Sequence, residues 1–194
     1  MNSRDKILNA VNAAQPDLTP LPDISRFGLD GIDTVQTYVT TLTNIGGTFV
    51  EVTGMDDISA YVLQKAGTDT RTVTTLPELD KVAELLIPGA DPHTLSDIEY
   101  AIIEARFGVA ENAAVWITEQ EAGYRALPFI CQHLIVILKA ETIVPTMHNA
   151  YDIIADSVYG HGVFIAGPSK TADIEQSLVL GAHGPRSMTI LIVK

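Results

Sequence analysis

The segment Gly162-Val-Phe-Ile-Ala-Gly-Pro-Ser-Lys-Thr-Ala-Asp-Ile-Glu concentrates residue types suited to chemistry. Its apolar start reads as a strand and Thr171 to Leu180 as a helix, which predicts a junction with unpaired N–H groups at the helix start. Such a junction binds anions. Gly167 and Pro168 form the loop, with Gly167 allowing close backbone approach. Ser169 and Thr171 offer hydroxyls, and Lys170 adds a positive charge where the helix dipole already favours a negative group. Asp173 and Glu175 fall in the first turns and can satisfy that dipole themselves, so the same residues also describe a plain helix cap. A lysine at a helix start opposes the macrodipole, and on this reading its removal leaves folding unchanged or slightly favoured. The phosphate cradle of nucleotide triphosphatases is not matched: Lys170 stands two positions late, and the residues between Gly162 and Gly167 are strand-like.

Two further groups carry chemistry. In Gly181-Ala-His-Gly-Pro-Arg, Gly181 ends the predicted helix and displays His183 and Arg186 on a turn, where both are candidate ligand contacts and His183 reads as a helix-end residue rather than a catalytic base. Glu104 and Glu111, with Arg106 between them, flank a small-residue turn. Glu111 there is a nucleophile or base if desolvated and a turn hydrogen-bond acceptor if not. His93, His133, His148 and His161 stand apart, without His-x-His or His-Glu-x-x-His spacing, so no metal centre is predicted. Cys131 is the single cysteine, too few for a disulfide, a structural zinc site or an iron–sulfur cluster, and it reads as a buried packing thiol.

The elements that must position these residues follow from periodicity. Residues 3 to 14 read as an amphipathic helix capped by Ser3, followed by a Pro-rich linker to residue 30. The main domain is then 31–194. Asp33 caps a helix bearing Val35, Tyr38, Val39, Leu42 and Ile45, closed by Gly46-Gly47. Thr48–Thr53 reads as a strand, Asp56–Gly67 as a helix, Arg71–Thr74 as a strand and Glu78–Leu86 as a helix. Tyr100–Ile103 and Ala113–Thr118 favour strands, Leu134–Leu138 is of central-strand type, and Pro145 suits the first turn of a helix bearing Ala150, Ile153 and Ile154. Gly162–Ala166 and Met188–Val193 complete the strands. This alternation predicts an α/β fold with a mostly parallel sheet covered by helices.

The chain has 194 residues, 46% hydrophobic and 19% charged, as an ordinary globular domain does. Its net charge of −12 argues against nucleic acid or anionic lipid as partner but permits a local basic pocket. Its apolar runs fall far short of the roughly 20 residues that a membrane span requires, and the N-terminal residues lack a secretory pattern, which predicts a cytoplasmic protein.

Ile143-Val-Pro-Thr, Gly167-Pro-Ser-Lys-Thr-Ala-Asp-Ile-Glu and Leu178-Val-Leu-Gly-Ala-His-Gly-Pro-Arg, in that order, resemble the LUD-domain family of the lactate-utilization C type. The resemblance is specific over residues 104–194 and weak before them. The family's Ala-Glu-Thr-Gly motif matches Ala110-Glu-Asn-Ala, with Ala113 in place of the glycine and Arg106 in place of an earlier acidic residue. The resemblance implies a three-layer fold like that of the ribose-5-phosphate isomerase, glucosamine-6-phosphate deaminase and coenzyme A transferase group. It also implies an accessory or regulatory role in oxidising L-lactate to pyruvate, beside partner proteins that carry iron–sulfur clusters. The single Cys131 keeps this chain itself from a cluster-bearing role, so it is expected to hold no cofactor alone, and the helix start with Lys170 in an acidic chain predicts that it binds a small carboxylate or phosphate. By analogy with the coenzyme A transferases, an alternative reading is an enzyme with Glu111 as the candidate catalytic residue, and a third is a non-catalytic module that docks the iron–sulfur partners through residues 1 to 30.

Overall fold

The structure is a computed structural model; it describes residues 2–20, 22–24, 27–28, 31–67, 69–87, 89, 91–172 and 178–194. Helix α1, Ser3–Ala13, starts at Asn2, whose side chain accepts the Asp5 N–H; the predicted cap Ser3 lies one residue inside. None of its residues is buried, and Ile7, Leu8 and Val11 are exposed. Helix α2, Thr34–Asn44, begins as predicted at Asp33, whose carboxylate accepts the Gln36 N–H at 3.0 Å. It buries Tyr38 and Leu42. Strand β1, Thr48–Val52, leads into α3, Met55–Ala66, which buries Ile58, Val62 and Ala66 at helical spacing.

After β2, Thr72–Thr74, the chain departs from the expected Glu78–Leu86 helix. Pro77–Leu79 forms one 3-10 turn, and Glu84–Leu85 is a short strand, β3, paired with β2. A tertiary contact decides this: Arg71 donates from Nε and Nη2 to the two oxygens of Glu84, and the Leu86 N–H is taken by the Thr74 carbonyl. Strands β4, Tyr100–Glu104, β5, Phe107–Val109, and β6, Ala114–Thr118, follow. Then come α4, Glu119–Ala122, α5, Leu127–Ile130, and β7, His133–Lys139. Strand β8, Ile143–Val144, precedes α6, Met147–Ile154. The α6 cap is Thr146, so Pro145 stands just outside the helix rather than in its first turn.

The end of the chain holds the largest correction. After β9, Gly162–Ile165, the residues expected to open a helix form β10, Lys170–Ala172, antiparallel to β11, Leu178–Leu180. Thr171 and Val179 are β-branched and face each other across this ribbon, an arrangement that a strand accommodates better than a helix. Asp173 and Glu175 lie outside the described residues. Strand β12, Ser187–Val193, closes the fold.

The central sheet runs β1-β12-β7-β4-β2-β3, and all its pairs are parallel. This is the α/β architecture with a mostly parallel sheet that the sequence predicts. A second sheet, β8-β5-β6-β9, has two antiparallel pairs and one parallel pair. Alternation along β7 splits the core: Ile135 and Ile137 pack with Ile58 and Val62 of α3, while Leu134, Val136 and Leu138 pack with Tyr38, Leu42 and the β6 residues Val115 and Ile117. Burying each such side chain contributes roughly 1.5–3 kcal/mol. No helix among the described residues is long and apolar enough to cross a membrane.

One core group is at odds with its surroundings. The Tyr38 hydroxyl is fully buried without a hydrogen-bond partner among the described residues. Burial alone drives its phenol far above the usual range. An unpaired buried hydroxyl costs about 1–3 kcal/mol of desolvation. Tyr38→Phe is therefore expected to leave stability unchanged or raise it by up to about 1 kcal/mol, read from the urea midpoint; a clear loss would show that the hydroxyl is satisfied.

Candidate functional site

Loops gather over the amino ends of three neighbouring central strands. Asn44 and Ile45 lead into β1, Phe129 precedes β7, and Gly184 and Pro185 precede β12; together with residues 164–170 they line a cleft of about 690 Å³. Ser169 ties its walls together. Its N–H donates to the Pro185 carbonyl at 2.9 Å, and its carbonyl accepts the Gly181 N–H at 3.1 Å. Gly167, Pro168, Ser169, Lys170 and His183 all line this cleft, so most of the predicted ligand-binding residues do converge.

Their roles differ from the expected ones. Gly167 has φ 70°, and a Cβ on it would stand 3.1 Å from the Ile45 side chain and 3.3 Å from the Ile45 carbonyl oxygen. The close approach it permits is to the end of α2. Lys170 belongs to a strand, and its ammonium lies against Gly46: a Cβ built there would be 2.9 Å from Nζ. The charge thus sits beside the C-terminus of α2, where the macrodipole favours a cation. Thr171 lies in the ribbon opposite Val179 and does not line the cleft. Arg186 lines a separate cavity of about 230 Å³ with Asp97 and Glu99.

Glu111 is also outside the cleft lining. Its side chain accepts the Met147 N–H at 2.9 Å at the start of α6, and its own N–H donates to the Pro145 carbonyl at 3.0 Å. The residue is exposed, and its carboxylate does the work of a helix-end acceptor. The next residue, Asn112, reaches the cleft, and its Oδ1 accepts the Ala114 N–H at 3.0 Å to fix the β5–β6 turn. Ala113 completes that turn at φ 56° while fully buried. It holds the left-handed conformation that glycine adopts freely, at a cost of about 1–2 kcal/mol for an L-residue. The alanine therefore keeps a glycine-like backbone at this position.

The carboxyl edge of the central sheet, where open α/β sheets usually bind ligands, has the opposite electrostatic character. A cavity of about 280 Å³ there is lined by Glu78, Glu104 and Glu121. Lys139 approaches Glu104 at 3.6 Å. Burial pushes the Glu121 carboxyl up, but hydrogen bonds from Thr118 and Arg106 outweigh burial and hold it below its usual range. By contrast, no described residue lining the larger cleft is acidic. Sequence reasoning missed Asn44, Ile45, Phe129 and Phe164. Only their position before or within predicted strands could have signalled them, because nothing in a sequence says which strands become neighbours.

Cys131 is buried, and burial pushes its thiol up to about 12, as befits a packing residue. Among the described residues no group of three or more His, Cys, Asp or Glu is placed to hold a metal ion. The position of Lys170 reverses the expectation drawn from a helix start. Lys170→Ala is now expected to lower stability by a few tenths of a kcal/mol, through lost interaction with the end of α2. A stability gain in thermal or urea unfolding would contradict that placement.

Comparison with known proteins agrees with this architecture. Residues 92–193 match the family model described as LUD domain. Lactate utilization protein C of Bacillus pumilus is 31% identical over 100 residues, covering 48% of this chain and 42% of that protein. The protein of the same name from Geobacillus kaustophilus is 34% identical over 91 residues, covering 44% of this chain and 38% of that protein. The matches thus span about two fifths of those relatives. A crystal structure of a DUF162 family protein from Deinococcus radiodurans superposes with a TM-score of 0.63, covering 84% of this chain and 97% of that one at 15% identity. At that identity the likeness speaks for the fold alone. With its family model matched over residues 92–193, this chain belongs to the LUD domain family.

Proposed function

We propose that this chain is an accessory or regulatory protein of lactate utilization that binds a small carboxylate or phosphate in the amino-edge cleft. The observation that carries the ligand class is electrostatic. On a chain of net charge −12, the described lining of this cleft contains no carboxylate and does contain Lys170. Hydroxyl and amide donors from Ser169 and Asn112, and the imidazole of His183, add polar partners of the kind that orient an oxyanion. The link to lactate utilization rests on the relatives that carry that name.

The coenzyme A transferase analogy, with Glu111 as nucleophile, has weaker support. A carboxylate whose oxygen is engaged by a backbone N–H at a helix start is a poorer nucleophile than a free one. Binding without covalent chemistry is the reading that the geometry favours.

Lactate, pyruvate, inorganic phosphate, sugar phosphates and acyl-coenzyme A at millimolar concentration form the test panel. At least one is expected to raise the melting temperature, since a ligand at a hundred times its Kd adds about 2.7 kcal/mol. Lys170→Ala is expected to weaken that ligand about 10- to 100-fold, the cost of one charge-assisted hydrogen bond. No shift from any member of the panel, or unchanged affinity in Lys170→Ala, would sink the proposal.

A further inference from the structure

A second cleft lies on the opposite side of the β5–β6 sheet from the central core. It measures about 320 Å³, is bounded by β5, β6, β8 and α6, and is separate from the amino-edge cleft. That volume is at the lower end of the range for small-molecule sites, roughly 300–1,000 Å³. Phe107, Trp116 and Ile154, all nearly buried, supply an apolar floor, and Ile153 stands exposed among the lining residues. Other rings back this floor: Trp116 packs on Phe164 at 4.6 Å between ring centroids and meets Tyr159 edge-on at 5.2 Å.

Two charges of opposite sign share this lining. The Arg106 guanidinium is held by Glu121, 2.8 Å from Nε, and by Gln120, 3.0 Å from Nη2. Of the five N–H groups an arginine carries, those two bonds leave three without a described acceptor. Glu141 lines the same cleft, and no described residue bonds its carboxylate. A simple apolar acid would find Arg106 but be repelled by Glu141, whereas a simple amine would meet the reverse. A molecule carrying both charges beside an apolar side chain satisfies both.

We propose that this cleft binds a free α-amino acid with an apolar side chain. The α-carboxylate is received by the free edge of Arg106 and the α-ammonium by Glu141, while the side chain lies on Trp116 and Phe107. Arg106 stands where the resemblance leads one to expect an acidic residue, so this site would be particular to chains that share the substitution.

Trp116 is the one tryptophan of the chain, so its fluorescence reports on the cleft directly. Titration of the full chain with L-leucine or L-isoleucine is expected to give a saturable change. 4-Methylpentanoate, which lacks the ammonium, and 3-methylbutylamine, which lacks the carboxylate, are each expected to bind at least about tenfold more weakly. Glu141→Gln is expected to weaken leucine by a similar factor while leaving 4-methylpentanoate unimpaired, and Arg106→Gln to weaken both acids. Because Arg106 also bonds Glu121 and Gln120, Glu141→Gln keeps the test decisive should Arg106→Gln fail to fold. No saturable response to leucine or isoleucine at millimolar concentration overturns the proposal. So does 4-methylpentanoate binding as tightly as leucine and indifferently to Glu141→Gln.

Discussion

The pairing of β7 with β12, in register from His133 opposite Ser187 to Lys139 opposite Val193, is the contact on which the other elements depend. Leu134 to Leu138 and Met188 to Ile192 are buried almost without exception, so both faces of this pair must be covered. Helix α3 covers one face, and α2 with the second sheet covers the other. The same pair determines where its flanking loops can meet. The residues before β12 and before β7 come together at the amino edge, and the loop after α2 joins them because β1 pairs with β12.

Charge then divides the two edges of that sheet. The carboxyl edge gathers Glu78, Glu104 and Glu121, answered in part by Lys139 and Arg106. An anion arriving there would meet more negative than positive charge. The amino edge carries a lysine placed at a helix C-terminus, with no described carboxylate lining the cleft. Lys170 thus serves α2 and can still serve a ligand, because one ammonium has three donors. Electrostatics therefore favours the edge that fold-level precedent does not.

Much of this was legible in the sequence, for reasons that can be named. Asp33 and the Tyr38–Leu42 spacing mark α2 because capping and amphipathicity are local properties. The apolar runs of β7 and β12 read as central strands because a parallel sheet buries both faces. The residues from Gly167 to Lys170 stand out by their types and spacing, and they line the amino-edge cleft. Their mechanism was not, since β10 gains its ladder from β11, and Lys170 its helix end from residues more than a hundred positions away. Glu84 and Leu85 were misread for the same reason: Arg71 and Thr74 hold them in a strand that local propensity does not announce.

The proposed function turns on an anion binding over the amino ends of β1, β12 and β7. Amide chemical-shift mapping with inorganic phosphate and with lactate tests it most directly. Saturable shifts are expected to centre on the N–H groups of Asn112, Gly167, Ser169, Lys170, His183 and Gly184. Shifts confined to the carboxyl edge around Glu104 and Glu121, or shifts that never saturate, would contradict it.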